Sequence, residues 1–213
     1  MHIPDGFLSV PAWGAAAGVS AGYLALATRR LRQTMEEREI PLMGLLAAFV
    51  FAAQMLNFPV APGASGHFLG STLVALLFGP WQASLMMTVI LLIQAFIFLD
   101  GGVTALGANI LNMAIIAPWV SVFVFRLLAG RGGRRGPAVF LAAWLAVMAA
   151  ALACGLELAL SGTVAWQAVL PAILGWHALI GVGEGLLTPL VMGYLARTGV
   201  AVGQKGAEEG GKA

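Results

Sequence analysis

The sequence predicts an all-α integral membrane protein of about seven transmembrane helices, and three observations carry that. Of the 213 residues 60% are apolar and only 9% charged, with a mean hydropathy of +0.93, whereas soluble domains carry roughly 25% charge. Residues 40–99 contain no Asp, Glu, Lys or Arg, and comparable charge-free runs cover 11–28, 101–125, 136–156 and 158–183. These runs are continuously apolar rather than alternating, which favours lipid-spanning helices of about 20 residues over barrel strands.

The basic residues set the expected orientation. Arg29, Arg30, Arg32 and Arg38 form one cluster, Arg126, Arg131, Arg134 and Arg135 a second, and Arg197, Lys205 and Lys212 a third. The positive-inside rule puts all three in the cytoplasm. Residues 39–125 then hold four crossings better than two, two more follow the second cluster, and one precedes the first. The N-terminus is expected outside and the C-terminus inside. A single membrane domain, 1–196, precedes a flexible cytoplasmic tail, 197–213, rich in Gly with Lys205, Glu208, Glu209 and Lys212. The net charge of +2 reflects topology and is no nucleic-acid footprint. Asp5, Pro4 and the lack of a basic n-region argue against a signal peptide, so Met1 and His2 are expected in the mature chain.

In chain order, the first helix carries Gly14, Gly18 and Gly22, a small-residue stripe suited to packing inside the bundle or, alternatively, to a partner. Residues 29–39 read as a solvated turn. A second helix, about 41–56, repeats the spacing with Gly44, Ala48 and Ala52. Pro59, Pro62, Gly63 and Gly66 then make 57–67 a helix-breaking loop on the outer side. A third helix, about 68–78, is short for a crossing and is expected to start deep. Gly79-Pro80-Trp81 turns the chain, a fourth helix reaches Leu99, and Asp100-Gly101-Gly102 forms an outer turn, in which Asp100 is either a carboxylate supporting a metal's ligands from behind or a hydrated turn residue. Asn109 and Asn112 share a face of the fifth helix, which should point inward. Cys154, the single cysteine, reads as a small buried hydrophobe. Glu157 can be wet and idle, while His177 and Glu184 on the last helix form either a polar seam or a functional site.

The start of the chain has its own chemistry. The Met1 α-amine, the deprotonated His2 amide nitrogen and His2 Nδ1 can wrap one metal ion in fused chelate rings, leaving a fourth in-plane position for an imidazole, with His67 in the outer loop as the candidate. Four nitrogens in a plane suit Ni(II) or Cu(II), and less so Co(II), whereas Zn(II) prefers a tetrahedron. A solvent-washed terminus is the plain alternative. Absent motifs narrow the field: without G-x-x-x-x-G-K-[ST] or H-E-x-x-H the chain has no P-loop and no zinc-protease signature, and no nucleophile–base pair suggests an enzyme.

Met1-His2-Ile3-Pro4-Asp5-Gly6-Phe7-Leu8, Phe58-Pro59-Val60 through Ser65-Gly66-His67, Gly79-Pro80-Trp81, Asp100-Gly101-Gly102, Leu106-Gly107-Ala108-Asn109 and Asn112-Met113-Ala114 resemble the NikM/CbiM family over residues 1 to about 196. The resemblance implies a substrate-binding S component of an energy-coupling-factor importer in a bacterial or archaeal cell membrane. It implies an inward-tucked N-terminus whose Met1, His2 and His67 nitrogens hold Ni(2+) or Co(2+) as substrate, with no further cofactor. Implied partners are a transmembrane coupling subunit, cytoplasmic ATP-binding-cassette ATPases and a small accessory membrane subunit, which would be separate because the chain stops after the last helix. The alternative is a self-contained metal channel or secondary carrier, for which acidic pore rings are missing.

Overall fold

The computed structural model describes residues 1–129 and 135–198. An N-terminal strap of nine residues leads into α1 (Val10–Thr34), and a 3-10 turn (Glu37–Glu39) into α2 (Ile40–Gln54). A two-stranded antiparallel hairpin follows, β1 (Phe58–Ala61) and β2 (Ala64–Gly66), with Phe58 opposite Gly66 and Pro59 opposite Ser65. Then come α3 (Ser71–Phe78) and α4 (Pro80–Ile97). Next, α5 (Leu106–Ile110), a π-helical turn (Leu111–Ile116) and α6 (Ala117–Ala129) run as one rod. The long α7 (Arg135–Leu160) and α8 (Trp166–Arg197) complete the bundle.

Five of these rods, α1, α4, Leu106–Ala129, α7 and α8, are long and apolar enough to cross a membrane. The chain is therefore a multi-pass helical protein. At 15 and 8 residues, α2 and α3 fall short of that length, so the seven expected crossings correspond to seven rods of which five have spanning length. Every residue of α3 is buried, which makes it a core plug rather than a lipid-facing span. Its N-terminus is satisfied from far along the chain: the Leu69 and Gly70 amides donate to the two Glu184 carboxylate oxygens at 2.6 and 2.9 Å. An anion there meets both the unpaired amides and the positive end of the helix.

Several expectations need correction. The first basic cluster is not a loop, because α1 continues through Arg29, Arg30 and Arg32 to Thr34; arginine is a good helix former and no breaker intervenes. Arg30 caps the Trp81 ring at 5.3 Å, beside Tyr23 stacked on the same indole. Residues 57–67 form a hairpin, so the fold is not purely helical. Pro59 is compatible with it because a two-stranded ribbon leaves one edge of each strand unpaired. The glycine stripe on α1 does not pack internally: a Cβ at Gly14, Gly18 or Gly22 would meet nothing within 4 Å, nor would one at Gly44. α1 instead buries Ala16, Ser20, Ala27 and Leu31. The close helix crossing lies at Gly107, where a Cβ would strike the Ala17 backbone. Of the charged clusters, Arg131, Arg134 and the Arg135 side chain, and Lys205, Glu208, Glu209 and Lys212 near the C-terminus, lie outside the described residues.

Candidate metal centre

The strap reaches back into the bundle, and its first three residues are buried, with Met1 and Ile3 at 0% and His2 at 4% exposure. A chain terminus is a polar group, so such burial requires partners, and the sequence supplies them at long range. Ile3 N–H donates to Asn109 Oδ1 at 2.9 Å, while Asn109 Nδ2 and the Gly102 amide donate to Ile3 O at 3.1 and 2.8 Å. Farther out, the Asp5 carboxylate accepts the Thr104 amide, the Thr104 hydroxyl and the Val103 amide at 2.7, 2.5 and 3.2 Å. These bonds hold Asp5 below the usual carboxylate range. The Thr163 hydroxyl donates to Phe7 O at 2.7 Å. Gly102 lies so close to the strap that a Cβ would overlap the Pro4–Asp5 backbone.

Thus anchored, the strap brings Met1, His2 and His67 together. The Met1 amine stands 2.7 Å from His67 Nε2, and the His2 and His67 ring centres are 4.6 Å apart. Ser65 Oγ accepts from the His2 amide at 3.1 Å and from the Met1 amine at 3.3 Å. The tautomers follow from the partners. His67 Nδ1 lies 2.7 Å from Phe68 O, which can only accept, so Nδ1 carries the hydrogen and Nε2 the lone pair. For His2 the polarity is relayed from a carbonyl. Leu69 O accepts from Gln54 Nε2 at 2.6 Å, Gln54 Oε1 accepts from Gln94 Nε2 at 3.0 Å, and Gln94 Oε1 accepts from His2 Nε2 at 3.0 Å. His2 Nδ1 is therefore the lone-pair nitrogen, and it is a buried atom without a hydrogen-bond partner among the described residues.

Electrostatics keeps these donors uncharged. Burial lowers the Met1 amine to about 5 and His2 to about 3, the latter helped by the neighbouring amine. His67 lies well below its ordinary value, through burial, the amine, His2 and, more weakly, His177. At neutral pH three uncharged nitrogen donors face one region, with the Met1 amine donating to His67 Nε2 and His2 Nδ1 left without a hydrogen-bond partner among the described residues. Two nitrogens on adjacent corners of a square around a metal, with bonds of about 2.0 Å, stand about 2.8 Å apart. The Met1–His67 distance of 2.7 Å matches such an edge. No group of three or more His, Cys, Asp or Glu able to hold a metal occurs among the described residues.

The remaining polar side chains divide between supporting this centre and holding the bundle together. Asp100 is not merely a turn residue: its Oδ1 lies 3.5 Å from His2 Nδ1, and its Oδ2 accepts from Asn57 Nδ2 at 2.7 Å. Burial raises the Asp100 carboxyl, with the Met1 amine and Asn57 pulling it down. His177 and Glu184 are not assembled as ligands. His177 Nδ1 donates to Ile173 O one turn back at 2.8 Å, leaving Nε2 buried without a hydrogen-bond partner among the described residues, and Glu184 commits both oxygens to the backbone after His67. Glu157 is not idle; it accepts from Asn112 Nδ2 at 2.7 Å. Asn109 and Asn112 are both buried, as expected. Cys154 is buried, its sulfur 3.9 Å from Met1 O. Sequence reasoning missed Gln54, Gln94, Asn57 and Ser65. The signal for the two glutamines was available: a neutral amide inside a charge-free apolar run needs a partner.

The chain matches the CbiM family, described as the cobalt uptake substrate-specific transmembrane region, over residues 2–201. It is 40% identical over 198 residues to a protein of Archaeoglobus fulgidus whose name assigns it, provisionally, to fused nickel transport proteins, covering 92% of this chain but 65% of that one. It is 35% identical over 206 residues to the cobalt transport protein CbiM of Kyrpidia tusciae, covering 92% of this chain and 83% of that one. A crystal structure of a truncated transition metal transporter superposes with a TM-score of 0.88 at 32% identity, covering 93% of this chain and 99% of that one.

Proposed function

The chain belongs to the CbiM family of cobalt-uptake substrate-specific transmembrane regions, and from that premise we propose that it captures a nickel or cobalt ion for an ATP-driven importer of the energy-coupling-factor type. The observation that carries this reading is the convergence of the Met1 amine on His67 Nε2 at 2.7 Å beside the unpartnered His2 Nδ1. The ion closes a five-membered ring through the Met1 amine and His2 amide nitrogen and a six-membered ring through His2 Nδ1, and His67 Nε2 completes the plane. Such a set suits Ni(II) first and Co(II) second. Binding displaces the His2 amide proton, and Ser65 Oγ gives up the bond it now accepts from that amide. The two glutamines fix the His2 ring from behind, the usual task of groups outside a metal's own ligands.

Without a P-loop, energy comes from partner ATPases acting through a membrane coupling subunit, with the strap side of the bundle facing outward. The discriminating experiment adds one residue before Met1. That turns the amine into an amide and moves histidine off the second position. The expected result is loss of stoichiometric nickel and cobalt binding, measured by calorimetry and metal analysis on a protein that still purifies folded. An extended chain that binds as tightly as the native one overturns the proposal.

A further inference from the structure

The Met1 amine and His67 are buried behind the strap, so an ion must pass some outer group before reaching them. A mouth of about 360 Å³ opens beside them, lined by His2, Asn57, Ser65, Leu99, Asp100 and other residues of the strap, hairpin and 99–101 turn. An ion with six waters at about 30 Å³ each fits such a space without shedding its shell. Among the described residues Asp100 is the only carboxylate in the lining. Its side chain is 16% exposed against 3% for His2, so it stands outermost of the two.

The backbone aims this carboxylate. The Phe98 and Asp100 amides both donate to Gln94 O, at 3.2 and 3.0 Å, and between them Leu99 takes a left-handed conformation with φ 55°. That turn is ordinarily a glycine's. Asn57 then holds Oδ2, leaving Oδ1 toward His2 Nδ1 at 3.5 Å. With metal–ligand bonds of about 2.0–2.2 Å, one ion can touch both atoms without either moving. His2 Nδ1 is also the strap's unpartnered lone pair.

We infer that Asp100 is the loading residue of the site: its carboxylate takes the hydrated divalent cation in the mouth, replaces part of its water, and hands it to His2 Nδ1 before the Met1 amine, His2 amide and His67 close around it. This deepens the capture proposed above and rests on it. A loading group lowers the barrier in both directions, so its loss slows binding and release together, whereas loss of a permanent ligand speeds release.

The test is stopped-flow binding of nickel chloride and cobalt chloride to the purified full-length chain, comparing wild type, Asp100→Asn and Asp100→Glu. The expected result for Asp100→Asn is association and dissociation each slowed at least about tenfold, within the range of electrostatic effects on encounter. Its association rate should also lose the wild type's fall with added salt, while the visible spectrum of bound nickel stays unchanged. Asp100→Glu should recover part of the rate. Unchanged association in Asp100→Asn, or dissociation that becomes faster, overturns the inference. If Asp100→Asn misfolds, an Asp100→Glu chain that binds with wild-type rates and salt dependence supports it, and one that releases metal faster overturns it. Failure of the wild type to bind either ion would instead overturn the capture proposal, so the two failures are distinguishable.

Discussion

The protein buries its histidines in two settings, His2 and His67 beside the Met1 amine, and His177 on the helix that carries Glu184, and they differ in how many nitrogen donors gather around them. All three histidines are buried at 4% exposure or less. In the first cluster each imidazole gives its N–H away, to Phe68 O or to Gln94 Oε1, and keeps a lone pair facing the same region. In the second, His177 likewise gives its N–H to a carbonyl, Ile173 O, and keeps Nε2 without a hydrogen-bond partner among the described residues, but Glu184 on the same helix commits both oxygens to the start of α3. Burial of an ionisable residue in an apolar bundle thus does not identify a ligand, and neither does a single unpartnered imidazole nitrogen; several nitrogen donors meeting at one place do.

The comparison breaks most easily at the histidines themselves. His67→Ala removes one of four proposed donors, and we expect nickel affinity to fall by at least about 100-fold, while His177→Ala changes it only a few-fold. Titration calorimetry on both variants checks this, and equal losses would erase the distinction. A smaller effect should come from Gln94→Leu, which leaves His2 Nε2–H without its acceptor and frees the ring to turn. Loss of such a partner typically costs about 10–100-fold in metal affinity. Unchanged affinity there would show that the strap alone fixes the ring.

The gentlest probe is pH. Burial lowers the Met1 amine from 8.0 to about 5, so between those values the docked strap carries fewer protons than a free one. Docking is then fully favoured above about pH 8 and progressively lost as pH falls toward 5, by at most about tenfold per unit for one proton. The amide proton of His2 adds a second linked proton on metal binding. Nickel affinity should therefore drop from pH 8 to pH 6, and His177→Ala should leave that slope intact. A flat profile would remove the amine and amide from the donor set.

Charge-free runs made most helices legible, because lipid forbids charges wherever it surrounds a span. They could not reveal that α1 continues through Arg29, Arg30 and Arg32, since a helix emerging from lipid loses its compositional mark but not its propensity. Nor could they show that α3 stops at 8 residues, because the anion that caps it lies 115 positions away. Pro59 and Pro62 hid a hairpin too short for alternation to register. In the site, Met1, His2 and His67 were readable from residue type and loop position. The glutamine relay was not, because its links span 40 and 92 residues and follow no local period. Asp100 stood between two readings until Asn57 and the turn at Leu99 were seen to orient it.

The strap's anchors also impose a schedule on biosynthesis. Its first residues are fastened by groups 106, 153 and 156 positions later, at Asn109, Cys154 and Thr163. At about 5–20 residues per second, a ribosome delivers the last of these roughly 8 to 30 s after the strap itself. Until then the beginning of the chain has nothing to dock against, however completely the early helices have entered the membrane. The region translated first is thus fastened late, after Thr163 has been made, and the start of α3 later still, when Glu184 arrives. If the strap holds the ion as proposed, metal occupancy becomes a readout of completed assembly.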